Sequence, residues 1–137
     1  MADEKREGTA GETVLDVQRA PRRLKEGLVP GDTGIYLRFE AGNQKGRSVT
    51  LSAGGVYVIG RDGADLALDD GKVSRKHAEI GIFGPEAYVL RDLASTNGTW
   101  LNGRRIAEKA KLKNGDVIQI GDTRLRFAQV EGSIPLS

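Results

Sequence analysis

The sequence contains no cysteine. Disulfides, thiolate metal centres and cysteine nucleophiles are therefore excluded, and the composition fits a reducing compartment, so a cytoplasmic location is expected. Aromatic residues make up 5% of the 137 positions. That favours short strands joined by turns over a helical bundle packed on large rings. No apolar run approaches the roughly 18 residues of a membrane span. The opening residues MADEKREG carry no apolar stretch of the kind a secretory signal needs. The formal net charge is +2, too small to point to nucleic acid as a partner. Histidine occurs once, at His77.

What the sequence does have is glycine, 19 of 137 residues, about twice the usual share. Pairs such as Asp62-Gly63, Asn97-Gly98, Asn102-Gly103 and Asn114-Gly115 are strong turn signals. Between them apolar residues alternate: Ile35, Leu37 and Phe39; Val56 to Ile59; Ala78, Ile80 and Ile82; Ala87 to Leu93; Val117 to Ile120; Thr123, Leu125 and Phe127. Period-two patterns bounded by turns predict strands. Their spacing of about 8–12 residues predicts an all-β sandwich or barrel. Leu66 to Leu68 is a candidate brief strand, and no amphipathic helical window follows residue 34.

Residues 1–33 differ. Charges of both signs are dense, Gly and Pro recur, and large apolar side chains are few. Such a segment cannot bury enough surface to offset the entropy of ordering, so a flexible tail is expected, with at most a transient helical turn over Gln18 to Glu26. The folded domain is expected over 34–128 and a loose C-terminal tail over 129–137.

Four polar motifs fall at strand ends: Gly60-Arg61; Ser74-Arg75-Lys76-His77; Ser95-Thr96-Asn97-Gly98-Thr99; and Asn102-Gly103. In a sandwich the loops cluster at the two ends of the sheets, so motifs distant in sequence meet at one rim. Arg61 and Arg75 offer guanidinium forks suited to phosphate or carboxylate. Ser74 and Thr96 offer hydroxyls, and Asn97 both donates and accepts, as an extended peptide backbone requires. A hydrolytic pairing of Ser74 with His77 is disfavoured: on a strand an offset of three places the side chains on opposite faces, and no acid in the set orients the imidazole. No metal cage and no cofactor-binding loop is present, and the chain is not expected to be an enzyme. The basic run Arg104, Arg105, Lys109, Lys111, Lys113 lacks interleaved aromatics and reads as a solvated face.

Taken in order, these motifs resemble the forkhead-associated (FHA) domain family, a group of phosphothreonine-binding modules. The likeness runs from about Tyr36 to Phe127 and includes LKNGDVIQIG, Leu112 to Gly121, which looks like the family's closing hairpin. The resemblance implies an eleven-stranded β-sandwich that takes phosphothreonine peptides at its loop rim. It implies that Arg61 and Ser74 hold the phosphate, Thr96 adds a donor and Asn97 pins the peptide main chain. Arg75 falls where the family contacts phosphate or peptide residues further on. Gly60, His77, Gly98 and Asn102 fall at structural positions. The expected role is a signalling adaptor for phosphorylated partner proteins, downstream of a Ser/Thr kinase. The alternative is a phosphate-independent module that binds through a sheet face.

The tail adds Thr13 in GETVLD, with Asp16 three residues on, and Thr9 with Glu12 at the same offset. It resembles the tail of small bacterial FHA regulators phosphorylated by Ser/Thr kinases. Thr13 and Thr9 are therefore candidate phosphorylation sites, and the modified tail is a candidate ligand for the chain's own rim.

Overall fold

The computed structural model describes residues 25–26, 34–51, 55–84 and 86–130. Within them the chain forms twelve strand segments and no helix. They are β1 (Lys25–Glu26), β2 (Gly34–Ala41), β3 (Ser48–Leu51), β4 (Val56–Gly60), β5 (Leu66–Ala67), β6 (Ala78–Ile82), β7 (Tyr88–Asp92), β8 (Thr99–Leu101), β9 (Arg104–Arg105), β10 (Lys109–Leu112), β11 (Val117–Ile120) and β12 (Thr123–Val130). Three of them, β1, β5 and β9, are two residues long, and with these counted the total is one above the eleven of the resemblance.

The strands make two sheets. One has seven strands in the order β1-β3-β2-β12-β11-β8-β9 and the other five in the order β10-β7-β6-β4-β5. Every second side chain points into the core, as the strand period of two demands, and β2 and β4 bury several of their outward positions as well. Leu37, Phe39, Ile118, Ile120, Leu125 and Phe127 face inward from the larger sheet and Ile59, Ile80, Ile82 and Leu90 from the smaller, all at most 1% exposed. Tyr88 of β7 and Phe127 of β12 meet across the layers with ring centroids 5.2 Å apart and a 57° tilt, the inclined packing that aromatic quadrupoles favour.

Two boundaries move from those expected. Lys25 and Glu26 pair with Thr50 and Val49, so a short strand lies inside the segment expected to be a flexible tail with at most a transient helical turn. Backbone pairing to an edge strand decides the conformation there, which side-chain composition does not reveal. At the other end β12 continues past residue 128, with Gln129 opposite Ile35 and Val130 opposite Gly34. Thr9, Thr13 and residues 131–137 lie outside the described residues.

Strand direction collects the polar motifs. The C-terminal end of β4, the N-terminal end of β6 and the C-terminal end of β7 lie together, because Ile59 pairs with Ala78 and Ala78 with Asp92. In the other sheet Thr99, Ile120 and Thr123 are level with one another at the matching end. The loops 61–65, 68–77 and 93–98 thus emerge at one rim. β4 and β5 are a parallel pair joined by only residues 61–65. The Asp65 carboxylate accepts the Val58 N–H at 2.7 Å and holds this short crossing in place.

Candidate functional site

Arg61 begins the loop after β4. Its backbone N–H donates to the Ser74 carbonyl at 3.0 Å, and its Nε donates to the Val73 carbonyl at 2.9 Å. The guanidinium is thereby aimed along the 72–75 segment. Its terminal nitrogens have no partner among the described residues. Gly60 makes this approach possible, since a Cβ there would overlap the Arg75 carbonyl. Arg75 itself is exposed.

The Ser74 hydroxyl accepts the Thr96 N–H at 3.1 Å, which leaves its own proton free to donate outward. Asn97 donates from Nδ2 to the Lys72 carbonyl at 2.8 Å, which leaves Oδ1 free to accept. Arg61, Ser74, Thr96 and Asn97 are thus joined from three loops into one surface. Arg61, Thr96 and Asn97 are exposed and Ser74 is half-buried. An open depression of about 390 Å³ adjoins Arg61, lined also by Gln44 and residues 67–71.

His77 lies beneath this surface with 0% exposure. Its Nδ1 accepts the Ser74 backbone N–H at 3.0 Å, so the ring proton resides on Nε2, which donates to the Gly98 carbonyl at 2.8 Å. Both nitrogens are committed to backbone, and neither addresses the Ser74 hydroxyl. The expected separation of the Ser74 hydroxyl from the His77 ring holds for a different reason from the one argued on strand geometry: residues 74–76 are loop, and the imidazole is turned to cap the Ser74 amide.

Two carboxylates that the motif reading missed hold the loops. Asp92 accepts the Ser95 N–H at 3.1 Å and the Ser95 and Thr99 hydroxyls, each at 2.6 Å. Gly98 N–H in turn donates to the Ser95 hydroxyl at 3.0 Å. Asp70 accepts from the Lys72 and Asp122 amides at 3.0 and 2.8 Å and from the Thr123 hydroxyl at 2.9 Å, tying the loop before β6 to the β11–β12 turn. For both groups burial works against the charged form, yet the hydrogen bonds outweigh it and hold the carboxyl below its ordinary value. The Asp92 bonds had a local signal, an Asp three residues before a Ser. Those from Asp70 to Asp122 and Thr123 bridge partners more than fifty residues apart and had none.

Asn102 is placed elsewhere, in the β8–β9 turn with φ 51°. Its Nδ2 donates to Asp116 at 3.0 Å and its Oδ1 accepts the Val117 N–H at 2.9 Å. It holds a hairpin and does not line the rim.

A two-sheet sandwich that presents a guanidinium, a hydroxyl and an amide from separate loops at one end is built as a loop-rim recognition domain. Comparison with known proteins specifies the class. A family model described as "FHA domain" matches residues 57–121. The glycogen accumulation regulator GarA of Mycolicibacterium smegmatis is 48% identical over 107 residues, covering 74% of this chain and 66% of that protein. The FHA domain of the CT664 protein from Chlamydia trachomatis superposes with a TM-score of 0.67 at 31% identity, over 72% of this chain and 99% of that one. Mycobacterium tuberculosis EmbR in complex with a low affinity phosphopeptide superposes with a TM-score of 0.64 at 30% identity, over 92% of this chain and 31% of that one. The chain belongs to the FHA domain family. It spans about 60 to 66% of the length of the curated mycobacterial proteins it matches first.

Proposed function

We propose that this rim binds phosphothreonine in partner proteins and that the chain acts as a phosphorylation-dependent signalling adaptor. The observation that carries the reading is the double tether of Arg61, from its amide to Ser74 and from Nε to Val73. It aims the guanidinium along the segment that carries Ser74, whose hydroxyl already accepts from the Thr96 N–H and keeps its proton to donate. A phosphate monoester carries about −1.5 to −2 charges and three strong acceptor oxygens at pH 7. Arginine, a hydroxyl donor and loop amides supply charge-assisted bonds to those oxygens, roughly twice as strong as neutral ones. The free Oδ1 of Asn97 suits a peptide N–H next to the phosphorylated residue. Arg75, exposed one position beyond Ser74, is read as a further contact to the phosphate or the peptide.

Fluorescence anisotropy with a phosphothreonine peptide and its unmodified twin tests this. The wild-type chain should bind only the modified form, and Arg61→Ala should weaken binding by at least tenfold, since charged hydrogen bonds are worth about 1.5–3 kcal/mol each. Equal affinity for both peptides would sink the reading. Partner capture that survives Arg61→Ala would instead support binding through a sheet face.

The same reading covers the tail. Thr13, or Thr9, modified by a Ser/Thr kinase, becomes a ligand for the rim of its own chain or a second copy, at an effective concentration of about a millimolar for a short flexible link. Stoichiometric phosphorylation of Thr13 should shift the NMR signals of Arg61 and Asn97. Spectra identical to those of the unmodified chain would rule this out. A cytoplasmic setting belongs to the same reading.

A further inference from the structure

The outer face of the seven-stranded sheet carries charges that the fold does not balance. Arg38 lies between the buried Leu37 and Phe39, and Arg124 and Arg126 flank the buried Leu125. All three side chains therefore point away from the core. Arg38 stands directly opposite Arg126 on the neighbouring strand, a like-charge pairing that destabilises a sheet. Glu40 answers one of the three, with both of its oxygens on Arg126 at 2.7 and 3.1 Å. Its carboxyl is held below the ordinary value chiefly by that hydrogen bonding, which outweighs burial, and further by the charges of Arg126, Arg38 and Arg124. The three guanidiniums thus share one field. Arg38 and Arg124 are exposed and have no carboxylate partner among the described residues.

The same face carries Trp100. It pairs with Gln119, and Gln119 pairs with Arg124 on its other side, so the three form one level row across β8, β11 and β12. Gln119 sits between the buried Ile118 and Ile120, which puts the row on the outer face. Trp100 is 37% exposed, and no hydrogen bond, ring or cation engages its indole among the described residues. Neighbouring strands lie about 4.8 Å apart, so the patch from Arg38 to Trp100 is about 14 Å wide. Tryptophan and arginine are the residues in which protein interfaces concentrate their binding energy.

We infer that this face is a second interaction surface and that its partner is an acidic segment of another protein, with an apolar side chain among its carboxylates. The carboxylates meet Arg38 and Arg124, and the apolar side chain meets Trp100. Nucleic acid fits less well. Glu40 puts a negative charge among the guanidiniums, and a formal net charge of +2 offers a long polyanion few further contacts. Arg61 and Ser74 stand on loops of the smaller sheet. Binding on the outer face of the larger one needs no phosphate, and the inference does not rest on the phosphothreonine reading.

Trp100 is the only tryptophan in the sequence, so its fluorescence reports on this face alone. The whole chain is titrated with an unphosphorylated peptide repeating Glu-Glu-Leu-Gly, with its Gln-Gln-Leu-Gly twin and with a short DNA duplex. The Glu peptide should bind and shift the emission, the Gln twin should not, and about 0.5 M salt should remove most of the affinity. The double variant Arg38→Gln/Arg124→Gln should weaken the Glu peptide by about three- to tenfold, as expected for two exposed ion pairs. It should leave phosphothreonine-peptide binding unchanged, which also shows that it folds. Arg61→Ala should bind the Glu peptide as wild type does. Absence of binding, equal binding of the Glu and Gln peptides, loss in Arg61→Ala instead, or tighter binding of the duplex overturns the inference and leaves the phosphate socket standing. Emission of the free chain that moves with salt or with protein concentration overturns it too, because the chain's own acidic residues or a second copy then cover the face.

Discussion

One imidazole joins two of the rim's loops: His77 accepts the Ser74 amide on Nδ1 and donates from Nε2 to the Gly98 carbonyl at 2.8 Å. The ring is fully buried, so water cannot replace either bond. The 61–75 side of the rim and the 95–98 side are therefore set relative to each other by a side chain buried beneath the surface. This separates a residue that shapes the site from those that fill it.

Replacing that ring should damage the fold before it damages recognition. His77→Ala leaves two buried backbone groups without partners, each costing about 1–3 kcal/mol. Urea unfolding should show a loss of about 2–4 kcal/mol. A loss under about 1 kcal/mol would mean that the loops hold their geometry without it.

Acid should loosen the rim through Asp92 and Asp70. Both have folded-state values held below the ordinary 3.8 by hydrogen bonds that exceed the opposing effect of burial. The stability they contribute is complete above about pH 4, begins to fall below it, and is gone once the pH passes the lower folded-state value. Urea midpoints measured from neutral pH down to about 2.5 should decline in that window. Asp92→Asn should start lower at neutral pH and decline less steeply, because its amide cannot accept from the Ser95 amide and two hydroxyls together.

Gly60→Ala should be costly for a steric reason that the exposed loops do not share. The added methyl overlaps the Arg75 carbonyl, and the obstructing atom is backbone, which cannot rotate away. Overpacking of this kind costs about 1–3 kcal/mol. Relief requires the 74–76 segment to move off β4, which breaks the Arg61–Ser74 backbone bond. Stability by urea unfolding and phosphopeptide affinity by anisotropy should therefore fall together. Retained affinity with reduced stability would show that the segment is not moved.

The sheet strands with strong alternation, such as Ile35 to Phe39 and Ala78 to Ile82, were legible because one face is wholly apolar. Ser48–Leu51 and Lys109–Leu112 were not. The first is short and sits on the small residues Ser48 and Thr50, and the second sends Lys109 and Lys111 outward and reads as a basic run. The rim was legible only through the order of its motifs. Arg61, Ser74, Thr96 and Asn97 are polar side chains that leave a mark in sequence. The groups that position them are largely backbone, such as the carbonyls of Lys72, Val73 and Gly98, and a carbonyl has no sequence signature.

Asn97 offers a test in which charge and hydrogen bonding make different predictions. Its Nδ2 is committed to the Lys72 carbonyl, so the side chain is held with Oδ1 outward, ready for a peptide N–H. Asn97→Ala removes that acceptor and the tether, and should weaken phosphopeptide binding by about three- to tenfold, as expected for one or two neutral hydrogen bonds. Asn97→Asp keeps the acceptor but turns an oxygen toward the Lys72 carbonyl and adds a negative charge beside the phosphate. It should bind more weakly than Asn97→Ala at low salt. Because that deficit is electrostatic and exposed, raising the salt from about 0.05 to 0.5 M should narrow the gap between the two variants. Were the aspartate variant to bind as well as wild type at low salt, Asn97 would lie outside the field of the phosphate, and the socket would have to be redrawn around Arg61 and Ser74 alone.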